Sequence, residues 1–88
     1  ADLTGADLRR ANLRRANLED ARMKEVNLED ARMKEANLEG ANLEGANLKE
    51  AYLFFANLED ANLEGANVLR AFLYNTTMPD GTVNNSGC

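Results

Sequence analysis

Residues 36–50 read Ala36-Asn37-Leu38-Glu39-Gly40, Ala41-Asn42-Leu43-Glu44-Gly45, Ala46-Asn47-Leu48-Lys49-Glu50, one five-residue phrase stated three times. The phrase runs on in both directions without a break. From Ala1 to Asp80 the chain divides into sixteen such units. The first position is Ala in fourteen of them, with Val26 and Thr76 as exceptions, and the third is Leu in twelve, replaced elsewhere by Met23, Met33, Val68 and Met78. The second position is mostly Asn or Asp. The fourth and fifth vary and are mostly charged or Gly.

A period of five fits neither regular element. On a helix each step of five turns a leucine by about 140° from the last, so the apolar residues spiral round the whole cylinder and leave no stripe. On a strand the odd period throws successive leucines onto opposite faces. A coil that turns one corner per unit resolves the conflict. Positions one and three then share an inward face, as strand geometry requires, and the corner resets the phase. Small Ala and large Leu fill a narrow interior, and the variable positions face water.

The sixteen units resemble the pentapeptide-repeat family, whose consensus is A(D/N)LXX, and the resemblance covers residues 1–80. It implies an all-β fold, a right-handed quadrilateral parallel β-helix with four repeats per coil and so about four coils. The tail Thr76-Thr77-Met78-Pro79-Asp80-Gly81-Thr82-Val83-Asn84-Asn85 is similar to an ending seen in cyanobacterial and plastid members. Stacking at strand spacing makes the shaft roughly 19 Å tall. The expected division is a repeat shaft at 1–80 and a tail at 81–88. Pro79-Asp80-Gly81 reads as a tight turn, after which Thr82, Val83 and Asn84 fold over the last coil as a cap.

With four repeats per coil, residues twenty apart lie above one another and the charges sort into columns. The column that starts at Ala16 carries Glu19, Asp20, Glu39, Glu59, Asp60 and Asp80 with no base, a formal charge of −6. The column that starts at Ala11 carries Arg14, Arg15, Arg32 and Lys34 against Glu35, a formal charge of +3. Its upper half presents Tyr52, Phe54, Phe55, Phe72 and Tyr74, all five aromatics of the chain. These rings either stabilise one another up the ladder or form an exposed contact patch. The remaining two columns sum to −2 and zero.

Composition excludes more than it assigns. The net charge of −5 opposes general electrostatic binding to nucleic acid or anionic membrane. No apolar run approaches the roughly 20 residues of a membrane-spanning helix. The chain has no His and one Cys, Cys88, so neither His-based catalysis nor a zinc site is expected, and no cofactor. Cys88 has no internal disulfide partner. Ser86 is the only serine and has no base near it. The sequons Asn75-Thr76-Thr77 and Asn84-Asn85-Ser86 read as accidental. The absence of an initiating Met suggests processing or a piece of a longer protein, and the open first coil suggests end-to-end self-association.

Function is therefore expected to be non-catalytic: a structural or interaction module that offers an acidic face and a basic-aromatic face to a protein partner. One alternative, drawn from the family, is a DNA mimic that binds a type II topoisomerase. Another is a repeat domain of a larger membrane or envelope assembly protein. The resemblance points to the cytoplasm, or to the thylakoid lumen or periplasm.

Overall fold

The ladder of backbone pairing in the computed structural model, which describes residues 2–85, has a step of twenty. Asp2 bridges Arg22, Arg22 bridges Asn42 and Asn42 bridges Asn62, all parallel. The same step carries Asp7 to Asn67, Asn12 to Phe72 and Asn17 to Thr77 through the other three columns. Four five-residue units thus complete one coil, and the columns read from the sequence are the stacks of the structure. The molecule measures 28 × 23 × 23 Å.

Each unit accounts for its own polar backbone. The N–H of position three donates to the coil after it and that of position two to the coil before, as in Leu28 to the Asn47 carbonyl at 2.7 Å and Asn27 to the Ala6 carbonyl at 2.9 Å. The N–H of position five also donates to the coil after, as in Gly40 to the Glu59 carbonyl at 2.9 Å. The N–H of position one closes the corner onto the preceding Leu, as in Ala41 to Leu38 at 3.0 Å. In the inner coils only position four lacks a backbone acceptor, and here the second-position side chain acts. Asn37 Oδ1 accepts from the Glu39 N–H at 3.0 Å, Asn57 Oδ1 from Glu59 at 2.9 Å and Asn47 Oδ1 from Lys49 at 3.0 Å. This Asx turn is why Asn or Asp recurs at position two: it supplies the acceptor the fold withholds.

The corner imposes a constraint that the variable sequence of position five conceals. Every fifth-position residue from Gly5 to Asn75 has a positive φ, between 56° and 71°. With the position-one N–H bonded back to position three, this is the left-handed third residue of a type II turn. Gly, Asn and Asp tolerate it; most L side chains pay steric energy there. Position five is free in chemistry and restricted in backbone.

Burial follows position along the axis. Met23, Leu28, Met33, Leu38, Leu43, Leu48 and Leu53 have no exposed surface, and Val26, Ala31, Ala41 and Ala51 are equally closed. Leu3, Leu8 and Leu13 in the first coil are half-buried, as is Leu63 in the last. At the C-terminal end β1 (Thr76–Thr77) pairs antiparallel with β2 (Val83–Asn84). The turn between them closes with Gly81 N–H on the Met78 carbonyl at 2.8 Å. β2 thus extends the column of Asn57 and Thr77 by one strand and covers that side alone; Val68 stays 41% exposed. Thr76, where other units carry Ala, is fully buried and its hydroxyl donates to the Leu53 carbonyl. Ser86 and Cys88 lie outside the described residues.

Candidate interaction surface

Because stacking has a step of twenty, the acidic residues lie along one side of the shaft. Glu19, Asp20, Glu59, Asp60 and Asp80 are exposed and Glu39 is half-buried among them. Burial, then the charges of Glu19, Glu59, Asp60 and Asp20, hold the Glu39 carboxyl above the usual carboxylate range. Four of the six acids thus act on the central one, which makes the column an electrostatic unit. Asp80 differs: it accepts from the Thr82 hydroxyl at 2.6 Å and from the Thr82 N–H at 3.0 Å. Those two bonds hold it below the ordinary range, and it serves the hairpin turn.

The sign of the pH dependence follows. An acid whose folded pKa is raised favours the protonated folded state, so Glu39 opposes stability at neutral pH and stops doing so as pH falls through its folded value. Asp7 has the opposite sign. Its bidentate contact with Arg9, at 2.9 Å for each oxygen, brings it down to about 2, so its contribution is present at neutral pH and lost only in strong acid. Glu39→Gln is therefore expected to raise the thermal midpoint at pH 7. The gain should shrink in molar salt and vanish once the wild-type carboxyl is protonated. Circular-dichroism melts across pH check it; a midpoint that falls at pH 7 would refute the sign.

The adjacent column places the aromatics in two packed groups. Tyr52 and Phe72 stack at 4.8 Å between centroids with planes 7° apart, and Phe54 sits 5.9 Å from Phe72 and 6.2 Å from Tyr52. Phe55 meets Tyr74 edge-on at 5.8 Å and 89°. Both expectations for these rings thus describe the same side chains: they pack on one another, and Tyr52, Phe55 and Tyr74 still expose 37%, 47% and 36% of their surface. Below them, Arg14, Arg15 and Lys34 surround a shallow basic groove, with Arg15 bonded to Glu35 at 3.0 Å.

One cluster lies outside these two columns. Glu29, Asp30 and Glu50 bring carboxylate oxygens within 4.8 Å of one another, all half-buried. They belong to the column that sums to zero, and the sum hides them. Positions 30 and 50 are twenty apart, so the same register would have found them.

These features define a four-sided parallel β-solenoid with a patterned exterior and no catalytic constellation among the described residues. The Pentapeptide repeats family profile matches residues 1–40 and 31–68, and the chain belongs to that family. Its members form right-handed quadrilateral β-helices and are generally non-catalytic. A pentapeptide repeat protein from the Arabidopsis thaliana thylakoid lumen superposes with a TM-score of 0.87 at 31% identity, covering 98% of this chain and 59% of its own. A Nostoc pentapeptide repeat protein gives a TM-score of 0.57 at 31% identity over 85% of this chain and 66% of that one. One from the cyanobacterium Cyanothece gives 0.50 at 39% identity over 75% and 48%. The chain thus spans less than two-thirds of the length of each. No curated protein matches.

Proposed function

We propose that this chain is a non-catalytic interaction module, a right-handed shaft of about four coils that presents its acidic column and its aromatic column to another protein. The observation that carries this reading is Phe55. It is 47% exposed and sits at a φ of 62°, where the corresponding residues of the other coils are the polar Arg15, Glu35 and Asn75. It is the one large apolar side chain among the fifth-position residues from Gly5 to Asn75, and about half of its surface stays exposed beside Tyr74. The neighbouring rings of Tyr52 and Tyr74 make the patch continuous enough for a partner, and exposed apolar patches mark contact sites.

The test is capture of a partner from cyanobacterial or thylakoid extract by the full chain, compared with two variants. Phe55→Asn with Tyr74→Ser removes the aromatic edge and relaxes the turn. Glu59→Lys with Asp60→Lys inverts the acidic column. Loss of a captured protein in either, with melting curves unchanged, supports the reading; identical capture by all three sinks it.

The coupling around Glu39 favours one alternative, DNA mimicry toward a type II topoisomerase. The largest dimension of the molecule, 28 Å, is shorter than one duplex turn of roughly 34 Å, so end-to-end self-association is part of that reading. Failure to inhibit gyrase supercoiling, with no dimer in solution, removes it. The match to part of a thylakoid-lumen protein supports a place in a larger protein and in that compartment.

A further inference from the structure

The lower half of the aromatic column is basic. Position four runs Arg14, Lys34, Phe54 and Tyr74 up successive coils, and position two runs Asn12, Arg32, Tyr52 and Phe72. Two grooves open on this lower half and share Asn12 as a wall. One, of about 470 Å³, is lined by Asn12, Arg14, Arg15, Lys34 and Glu35. The other, of about 270 Å³, lies toward Arg10 and Arg32, with Asp30 and Tyr52. We propose that the larger groove receives the side-chain carboxylates of an acidic peptide segment on a protein partner, with Arg14, Arg15 and Lys34 as the donors. This gives the contact surface proposed above a partner of stated chemistry, and it rests on that reading.

Donors left over by the fold point to the ligand. Arg14 is anchored through Nε on Asn12 Oδ1 at 3.1 Å, and Arg15 through Nε on Glu35 Oε1 at 3.0 Å. Both anchors use the inner nitrogen. The terminal N–H groups, whose fork matches a carboxylate, have no protein partner among the described residues. The Lys34 ammonium makes neither a hydrogen bond nor an ion pair there, and the same holds for the side chains of Arg10 and Arg32. Three cations of the larger groove thus share one acid, Glu35, and their excess charge is repulsive until an anion enters. The neighbouring acidic column does not supply it: ion pairs among the described residues join Arg9 to Asp7, Arg15 to Glu35 and Arg70 to Glu50. Arg15 keeps 82% of its side chain exposed and stays open to a second carboxylate.

A short run of carboxylates fits this site better than a nucleic acid or an anionic membrane. The donors occupy two coils of a single side, with the −6 column beside them. A phosphate backbone or a headgroup layer that reaches past them meets like charge. Tyr52 and Phe54 follow directly above Arg32 and Lys34, so a segment that continues up the column from its acids meets rings.

The experiment is a nitrogen-15 NMR titration of the full chain with the blocked peptide acetyl-Asp-Glu-Asp-Glu-amide. Acetyl-Asn-Gln-Asn-Gln-amide, sodium phosphate and a short DNA duplex serve as separate probes at matched ionic strength. The expected result is saturable shifts at the amides of Arg14, Arg15, Lys34 and Glu35 with the acidic peptide, and none with the neutral one. Arg14→Gln and Lys34→Gln should each weaken binding about tenfold, the loss expected for one charge-assisted hydrogen bond. Glu35→Gln should strengthen it, and molar salt should abolish it. Arg22→Gln with Lys24→Gln, at two exposed bases of another column, should leave it unchanged. Absence of saturation overturns the proposal. So does binding that survives Lys34→Gln but falls with the Arg22 and Lys24 variant, and so does phosphate or the duplex producing the same shifts and displacing the peptide. If the peptide fails while Phe55→Asn with Tyr74→Ser still loses a captured protein, the groove falls and the contact surface stands.

Discussion

Replacing Leu38 by Ala is expected to lower the unfolding free energy by about 3–4 kcal/mol, near the upper half of the range for buried leucines. Leu38 has no exposed surface and lies in the column of Leu18 and Leu58. The cost depends on how far the surroundings can collapse into the space left behind. Here they can collapse little. The backbone on either side is pinned by Leu18 N–H to the Asn37 carbonyl and Leu38 N–H to the Asn57 carbonyl, both at 2.7 Å. In a solenoid each unit has only its neighbours to lean on, so a cavity in the middle weakens two coil interfaces at once. Leu3→Ala, in the half-buried first coil, should cost only about 1 kcal/mol, because less surface returns to water. Urea melts of both variants separate the cases; equal costs would mean that the coils do not share a graded core. A whole domain holds only about 5–15 kcal/mol, so the central variant should be visibly less stable at room temperature.

The second large effect is the reverse insult. Ala41→Leu is expected to destabilise by about 2–3 kcal/mol through overpacking. Ala41 is fully buried at a first position, directly after the corner, with its N–H held by Leu38 and its own carbonyl accepting from Asn62 at 2.9 Å. A longer side chain there must displace either the third-position leucines or the ladder. Val26 sets the scale of what the interior admits: it occupies a first position with no exposed surface. Ala46→Val, one coil above Val26, should therefore cost less than half as much as Ala41→Leu. If the two substitutions prove equal, the interior is not limited by width at the first position.

These effects rest on residues whose roles differ in how plainly the sequence declares them. Ala and Leu at positions one and three declare an inside, since no straight element can hide a period of five. The coil length is another matter. Nothing in a repeat of five distinguishes three units per turn from four, and the twenty-residue step entered through the family resemblance before the bridges displayed it. Position five was least legible. Arg10, Glu25 and Phe55 give no outward sign of a left-handed backbone, because the corner dictates φ whatever the side chain; only the four fifth-position glycines, Asn75, Asp20, Asp30 and Asp60 hint at it. The recurrent Asn of position two was visible as a pattern, but its purpose required the finding that the next N–H but one has no backbone acceptor. Summing charge by column revealed the acids from Glu19 to Asp80 and concealed Glu29, Asp30 and Glu50, because Arg9, Arg10, Lys49 and Arg70 of the same column bring its sum to zero. The tail was expected over the last coil; its strand continues the ladder of that coil at one column only, because Pro79-Asp80-Gly81 turns the chain back onto Thr76 and Thr77.

The ladder that joins Asn17, Asn37, Asn57 and Thr77 also makes the exterior a ruler. Side chains of one column recur at strand spacing, about 4.8 Å, along the axis. A peptide lying extended along the shaft repeats its outward side chains about every 6.7 Å, and falls out of step within two coils. An α-helix advances about 5.4 Å per turn, so over three graduations it drifts by less than about 2 Å, within the reach of a long side chain. The molecule is graduated in units that suit a helix laid lengthwise better than a strand.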